Sequence, residues 1–263
     1  MRLAAVAVVA LGLVVASATH AQELVHLSAS GAVAHPGEMT FTGAPRLADM
    51  VKAAQVDRDA YILGAAWLRP SLQPGQARLK TGLLFDLGII ERTSDSNGRE
   101  PVMAIAQHMR AWIDSMPVTG RQVVHTLEPH ELQVSAADNL PVQAGDQLVY
   151  PTRPDTVRVV GAVEHDCSLP HAGLKDVRGY LAQCPSSRFA DPDVVYVVEP
   201  DGTVFEHGIG LWNRGPPLPV APGAILYVPF GHKAITAAAD PGFNRGMADF
   251  IATQPIGGSG VGP

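Results

Sequence analysis

Residues 140–151 read LPVQAGDQLVYP, and residues 218–229 read LPVAPGAILYVP. Both stretches fit the pattern L-P-V-x-x-G-x-x-L-x-x-P, so six of twelve positions are shared by segments that start 78 residues apart. A glycine turn that leads into a short apolar run closed by proline is typical of a β-strand that ends at the proline. The repetition predicts two similar small domains in tandem.

The chain around the second stretch predicts a small sheet crossed by one helix. Asp201-Gly202 lies between two runs rich in β-branched residues, which is a strong signal for a β-hairpin. The elements expected here are a strand over 156–163, a helix over 174–184, a hairpin of 194–198 with 204–205, and a closing strand over 225–228. One helix laid across a small mixed sheet is an α+β arrangement of the β-grasp kind.

The chain around the first stretch is less regular and carries an insertion. A strand over 39–42, a helix after Pro45 and an extended segment over 60–63 are expected. A mostly helical insertion of about 76–117 follows, because one apolar stripe recurs there at helical spacing. The stripe consists of Val102, Ala106, Met109, Trp112, Ile113 and Met116. Residues 93–99 are polar and contain an Asn-Gly pair, which predicts an exposed loop.

The last part of the chain predicts one more helix, over 240–256. Asp240-Pro241 has the form of a helix start, in which proline follows the N-cap. Four large apolar side chains follow at helical spacing and are expected to pack onto a β-grasp body: Phe243, Met247, Phe250 and Ile251. The expected division is a signal peptide over 1–21, a first domain over 22–152, a second domain over 153–239, this helix, and a flexible tail over 257–263.

The N-terminus has the layout of a secretory signal peptide. Arg2 precedes an uncharged apolar run over 3–15, and small residues follow, so cleavage is expected after Ala21. The alternative is an N-terminal membrane anchor, but the run is shorter than the roughly 20 residues that a spanning helix needs. No later stretch is long and apolar enough to span a bilayer. We therefore expect a protein exported to the periplasm, with no transmembrane segment in the mature chain.

Export determines how the two cysteines are interpreted. Cys167 and Cys184 both lie beyond the signal peptide, and an even number of cysteines in an oxidising compartment usually forms bridges. We therefore predict a disulfide between them, which would stabilise the fold by about 3 kcal/mol in the chain-entropy description. Two separate buried thiols are the alternative.

Composition and motifs exclude several classes of function. The chain has 19 Lys and Arg against 25 Asp and Glu, which lacks the basic footprint of a nucleic-acid binder. It has no G-x-S-x-G elbow, phosphate-binding loop or complete dinucleotide fingerprint. His165-Asp166-Cys167 could be a metal or nucleophile cluster, or the polar end of a strand that leads into the disulfide. Because no partner ligand is evident, we expect no metal, no cofactor and no catalytic set.

Several short motifs, in order along the chain, resemble the GfcC-like capsule biosynthesis proteins. The matching stretches are 41–47, 117–121, 153–163, Tyr180-Leu181, Ala190-Asp191, 200–202, Trp212-Asn213 and 222–229. The resemblance covers about 35–252. It implies two β-grasp domains similar to the ligand-binding β-grasp modules of polysaccharide exporters, a helical insertion in the first domain and a C-terminal helix. It also implies a periplasmic accessory role in making or exporting a surface polysaccharide.

Three classes of function stay open at this point. The first is a non-enzymatic factor that binds exopolysaccharide or a component of the outer-membrane export machinery. The second is a periplasmic enzyme that modifies polysaccharide, which would need two carboxylates about 5–10 Å apart in a cleft; Glu164 and Asp166 are the pair to test. The third is a generic periplasmic β-grasp interaction module that shares only the layout.

A ligand is expected in the groove between the two domains, because tandem domains commonly bind where their surfaces meet. Two prolines in the linker 150–154 should hold Arg153 near that groove, and Arg121 could approach it from the first domain. The resemblance implies a notable arginine in an interdomain cavity, and either residue fits. Arginine suits an acidic sugar or a partner carboxylate. The alternative is that each arginine pairs with an acidic residue and only holds the domains together.

Overall fold

The structure is a computed structural model that describes residues 24–235 and 239–257. The predicted signal peptide, 1–21, and residues 258–263 of the predicted tail lie outside the described residues.

Ten strands and seven α-helices make up the described part of the chain. In chain order they are β1 Leu24–Gly31, β2 Gly37–Thr42, α1 Leu47–Ala54, β3 Ala66–Leu68, α2 Gln73–Ser96, α3 Glu100–Ser115, β4 Arg121–Gln122, α4 Pro129–Val134, β5 Gln147–Tyr150, β6 Thr156–Gly161, β7 Cys167–Pro170, α5 Val177–Leu181, β8 Val194–Val198, β9 Val204–Gly208, β10 Ile225–Val228, α6 His232–Ile235 and α7 Phe243–Ala252. Short 3-10 turns lie at Ile62–Gly64 and Pro70–Leu72.

The strands form two five-stranded sheets with the same connectivity. The first has the order β2-β1-β5-β3-β4, and the second has the order β7-β6-β10-β8-β9. In each sheet the first and last strands in sequence are parallel, β1 with β5 and β6 with β10, and the other neighbours are antiparallel. One helix follows the first hairpin of each sheet, α1 or α5. The predicted α+β fold with two β-grasp domains is confirmed.

The repeated motif forms the turn and strand that close each sheet. Gly145 and Gly223 both have positive φ, 84° and 91°, which glycine adopts without the strain that a side chain would cause. Their backbone N–H groups donate to His26 O and Thr156 O, which lie in the parallel neighbour strand. The shared glycine therefore sets the register of the central parallel pair in both domains.

The helical insertion starts from the first domain but packs on the second. Helices α2 and α3 lie between β3 and β4, as predicted, and their buried side chains share one apolar core with the second sheet. The first sheet and α1 have a separate core. The predicted loop over 93–99 is wrong in its first half, because α2 continues to Ser96. Ser94 is fully buried, and its carbonyl accepts from Arg99 N–H, so only the Asn97-Gly98 pair forms the turn.

The C-terminal helix α7 lies against β8, β9 and α2. All four side chains predicted to pack, Phe243, Met247, Phe250 and Ile251, are at most 2% exposed. Gly246, which weakens the helix locally, faces Leu79 and Leu83 of α2, and a Cβ there would lie 3.4 Å from Leu83. The helix is shorter than the predicted 240–256, since it starts at Phe243 and ends at Ala252. Asp240 Oδ1 accepts from Gly242 N–H and shapes the turn before the helix.

Two other local predictions differ from the structure, and one strand was not predicted. The helix expected over 174–184 is shorter, because Asp176 caps it by accepting from Gly179 N–H, and Leu174 lies outside it, 94% exposed. The segment 60–63 enters a 3-10 turn instead of staying extended. Strand β1 was not predicted, because its sequence LVHLSASG mixes small and polar residues with few apolar ones.

Candidate interdomain site

A cavity of about 210 Å³ lies between the two domains and the C-terminal segment. Its lining combines the second sheet, the turn after β8, the segment that follows α7, and one arginine of the first domain. The residues that matter for its chemistry are Arg121, Thr156, Arg158, Ser168, Glu199 and Gln254. This volume is below the range of about 300–1,000 Å³ that is usual for drug-sized ligands, so the cavity fits one small group.

Arg121, one of the two arginines predicted for the groove, lines this cavity at the boundary between the domains and is 6% exposed. Its Nη1 donates to Ala252 O at 3.2 Å and Gln254 O at 3.3 Å. Its Nη2 donates to Ala65 O at 3.3 Å and Pro200 O at 2.5 Å. One guanidinium therefore joins the first domain, the second domain and the C-terminal segment.

The charge of Arg121 is stabilised by carbonyl dipoles and not by a carboxylate in contact with it. Burial lowers the pKa of its guanidinium to about 10, and the Asp201 carboxylate opposes that shift. The group remains a cation at neutral pH. Because this cation is shielded from water, its attraction for an anion that reaches it is stronger than the same attraction would be in water.

Two residues position Arg121: the glycine that precedes it and a glutamine of helix α2. Gly120 has a φ of +76°, and a Cβ there would lie 2.1 Å from Arg69 O, so the chain passes too close for a side chain. Gln76 of α2 accepts from Gly120 N–H and donates to Arg121 O. The insertion thus fixes the start of β4, and with it the arginine.

Arg153, the second predicted arginine, also lies at the domain boundary but on its exposed side. Its Cζ is 5.6 Å from the centre of the Tyr61 ring. The Tyr61 hydroxyl crosses to the second domain and donates to Pro222 O at 3.0 Å. Burial raises the pKa of Tyr61 to about 12, and the Arg153 charge opposes this. The structure thus brings both arginines to one boundary, with only Arg121 among the residues that line the cavity.

Two residues that the sequence did not single out add charge to the cavity. Burial lowers the pKa of Arg158, its Cζ lies 5.6 Å from the Trp112 ring centre, and its buried Nη1 has no hydrogen-bond partner among the described residues. Burial raises the pKa of the Glu199 carboxyl, while a hydrogen bond from Ala221 N–H opposes the shift. One sequence signal was available, because Arg158 is a charged residue inside an otherwise apolar strand.

The C-terminal segment Gln254–Gly257 lies in the groove itself. Gln254 Nε2 donates to Pro117 O at 3.1 Å, which ties the segment to the first domain. The Ile256 side chain lies between the two domains: a Cβ on Gly64 would be 2.9 Å from Ile256 Cδ1, and one on Gly223 would be 2.8 Å from it. A second cavity of about 380 Å³ lies on the other side of the segment. The segment therefore separates the groove into two parts.

Two family profiles match the chain over nearly its whole described length. The first, Capsule biosynthesis GfcC, N-terminal, matches residues 25–152, and the second, Capsule biosynthesis GfcC C-terminal, matches residues 165–254. The chain belongs to the GfcC capsule biosynthesis family. The first profile spans every strand of the first sheet, and the second spans the second sheet from β7 onward, so β6 lies between the two matches. Both profiles associate the protein with capsule biosynthesis.

The disulfide predicted in this GfcC family member is present. Cys167 and Cys184 are bonded, with their Cα atoms 6.0 Å apart. The bridge ties β7 to the chain just beyond α5. A disulfide together with membership of a capsule family agrees with an exported protein. No helix within 24–235 and 239–257 is both long and apolar enough to cross a bilayer.

The carboxylates considered for an enzymatic role are not among the residues that line the cavity of this GfcC protein, although the Asp166 charge reaches Arg158 and opposes the lowering of its pKa. Glu164 is exposed, and Asp166 Oδ2 lies 3.0 Å from His108 Nε2, where it ties helix α3 to the second sheet. Neither residue lines the cavity. Cys167 of the His165-Asp166-Cys167 motif is in the disulfide. Among the described residues, no group of three or more His, Cys, Asp and Glu could hold a metal ion.

Proposed function

We propose that this protein is a periplasmic, non-enzymatic accessory factor for the synthesis or export of a capsule or exopolysaccharide. Its interdomain cavity would bind an acidic group, carried by a sugar of the polysaccharide or by a partner in the export machinery. No cofactor, metal or nucleic acid takes part in this function. The family supplies the link to capsule, and the proposed periplasmic location is supported by the predicted signal peptide and by the disulfide.

The observation that supports this proposal most is the pair of desolvated arginines at the cavity. The Nη donors of Arg121 hold three parts of the fold together, and its positive charge lies beside the cavity, where it would attract an anion. Arg158 contributes a buried Nη1 with no partner among the described residues, and such a donor is costly unless something accepts from it. A carboxylate is the acceptor that a guanidinium pairs with best. Arg153, at the exposed edge, would meet the rest of an acidic ligand.

A polysaccharide-modifying enzyme is the second candidate, because one observation favours it. Glu199 lines the cavity with a raised pKa, due to burial and then to the charge of Asp201, and a carboxyl of this kind can act as a general acid. Glycoside cleavage needs a second carboxylate. Within the described part of the chain, Glu199 is the only acidic residue among those that line the cavity, so the binding function is better supported.

The proposal is tested in cells by deleting the gene and measuring surface polysaccharide. We expect a loss in amount, chain length or attachment, restored by the wild-type gene. Complementation with Arg153→Ala and Arg158→Gln should restore less, and Arg110→Gln should restore fully. Arg110 is the matched control, because it lies half-exposed on α3 and pairs with Glu91 at 3.5 Å. Full restoration by both site variants at normal protein levels would contradict the site, and an unchanged deletion strain would contradict the function.

The variant Glu199→Gln tests the second candidate function. If the protein were an enzyme that uses Glu199, this variant would no longer form product from purified polysaccharide.

A further inference from the structure

The loop that follows β9 carries two large apolar side chains that the fold leaves uncovered. Leu211 is 89% exposed and Trp212 is 79% exposed. A single exposed leucine is ordinary, but a tryptophan is the side chain that gains most from burial. The loop lies outside the interdomain cavity, since neither residue lines it.

The exposed indole is nevertheless held in place. Trp212 Nε1 donates to Asp193 Oδ1 at 2.8 Å. The main-chain carbonyl of Asp193 accepts from Ile209 N–H at 2.8 Å, from Gly210 N–H at 3.2 Å and from Asn213 Nδ2 at 2.9 Å. Asp193 therefore fixes both ends of the loop and the ring between them.

The loop also fits too closely around Asp193 for larger residues. A Cβ on Gly210 would lie 2.4 Å from Asp193 Oδ1, and a Cβ on Gly208 would lie 2.1 Å from Asn213 O. Asp193 itself is held by Asp191, whose Oδ1 accepts from Asp193 N–H at 2.9 Å. These contacts orient a ring that they do not bury, and a preordered aromatic side chain loses little entropy when it binds a partner.

The chemistry beside the ring indicates what it contacts. The indole N–H is already satisfied, so the ring offers a flat apolar face that matches the C–H face of a pyranose. Arg214, two residues on, is exposed and makes no hydrogen bond or ion pair with any residue in 24–235 or 239–257. A free guanidinium pairs with a sugar carboxylate. Apart from Leu211, the side chains named beside the ring, Asp193 and Arg214, are polar. The hot spot of a protein–protein interface is instead an aromatic side chain in a desolvated apolar centre. The surroundings of Trp212 therefore favour a sugar over a protein as its partner.

We propose that the 209–215 loop is a second polysaccharide-contact site, in which Trp212 stacks on a sugar ring and Arg214 pairs with the carboxylate of an acidic sugar. The inference relies on the proposed function for the class of ligand, and on the loop alone for the site. A polysaccharide is longer than the single group that fits the interdomain cavity, so a second contact would hold the same chain elsewhere on the surface.

The test is titration of the purified mature protein with an oligosaccharide of galacturonic acid, followed by intrinsic fluorescence and calorimetry, with maltohexaose as the neutral control. Trp67 is fully buried, and the partly buried Trp112 lies beside Arg158 of the cavity. A fluorescence change that remains in Trp212→Phe therefore reports the cavity, whereas one that is lost while calorimetry still detects binding belongs to Trp212. We expect Trp212→Ala to weaken binding at least about tenfold and Trp212→Phe to weaken it less. Val134→Ala, at an exposed apolar residue of the first domain, is the control and should leave binding unchanged. Melting temperatures close to wild type would show that the variants are folded.

Each result decides between the two sites. Loss of affinity in Trp212→Ala supports the loop site, whatever the cavity variant Arg158→Gln does. Loss in Arg158→Gln alone overturns the loop site and leaves the proposed function standing. If the wild-type protein binds no acidic oligosaccharide, the loop site is overturned, while a polysaccharide defect in the deletion strain would still uphold the accessory function. If Trp212→Ala binds normally but fails to restore capsule in cells, the loop contacts a protein partner and the sugar site is wrong.

Discussion

The two β-grasp domains share one sheet order and differ most in a single connection. In the second domain the connection from β8 to β9 is the tight turn 199–203, whereas the equivalent connection from β3 to β4 contains α2 and α3. The two connections meet, because Arg121, at the end of the long one, donates to Pro200 O in the short one. The insertion therefore does more than extend the first domain: it covers the second sheet and places an arginine between the two.

The closing strands of the domains differ in a second way. Asp146 follows the repeated glycine in the first domain, and Ala224 follows it in the second. Asp146 is fully buried, accepts from Trp67 Nε1 at 3.0 Å and lies 3.4 Å from Arg69 Nε. The second domain is apolar at this position and has the disulfide instead. The same fold is thus held by a polar cluster in one copy and by a covalent bridge in the other.

The largest effect is expected from removing α7, which packs on the second sheet and on the insertion. Each of its four large buried side chains stabilises the fold by about 1.5–3 kcal/mol. Truncation at Ala239 should lower the melting temperature by about 10 °C or more. Truncation after Gly257 is the control and should leave it unchanged. An unchanged melting temperature without α7 would contradict the packing.

A smaller loss is expected when the arginine between the domains is replaced. Arg121→Met removes the cation and leaves carbonyl oxygens of three segments without donors, which should cost about 3 kcal/mol. Arg153→Met is the matched control at the exposed edge and should change the free energy of unfolding by less than about 0.5 kcal/mol. Denaturant unfolding of both variants measures the difference. Equal stability of the two variants would show that Arg121 does not hold the domains.

The disulfide should stabilise the second domain selectively. The Cys167→Ala, Cys184→Ala double variant should lose about 2–4 kcal/mol. Amide hydrogen exchange should accelerate in β6 and β7 and change little in β1 and β2, which have no bridge. A uniform acceleration in both sheets would mean that the domains unfold as one unit.

Much of the fold was predictable because its signals are local. The signals for the glycine turns at Gly145 and Gly223, for the helix after Pro45 and for the apolar face of α7 each depend on residues close in sequence. Strand β1 was missed because small and polar residues hide its alternation. The site was only partly predictable: Arg121 and Arg153 do reach the domain boundary, but the role of Arg158 depends on helix α3 folding back over the second sheet. Contacts of that range leave no periodic pattern in the sequence.

The smallest effect concerns Glu199 and pH. Burial raises the pKa of this carboxyl in the folded state above its value in the unfolded chain. The folded protein therefore retains the proton to higher pH, and stability falls as the pH rises through the folded pKa. Glu199→Gln should raise the melting temperature slightly at pH 7 and leave it nearly unchanged at pH 4. A larger gain at pH 4 than at pH 7 would contradict the assigned direction.

The central claim is that the boundary between the two domains binds an acidic group. Calorimetric titration with an oligosaccharide of galacturonic acid, compared between the wild type, Arg158→Gln and Arg110→Gln, tests it most directly. We predict binding by the wild type, at least about tenfold weaker binding by Arg158→Gln, and wild-type affinity for Arg110→Gln. Equal affinity of all three proteins, or loss of affinity in both variants alike, would contradict the claim.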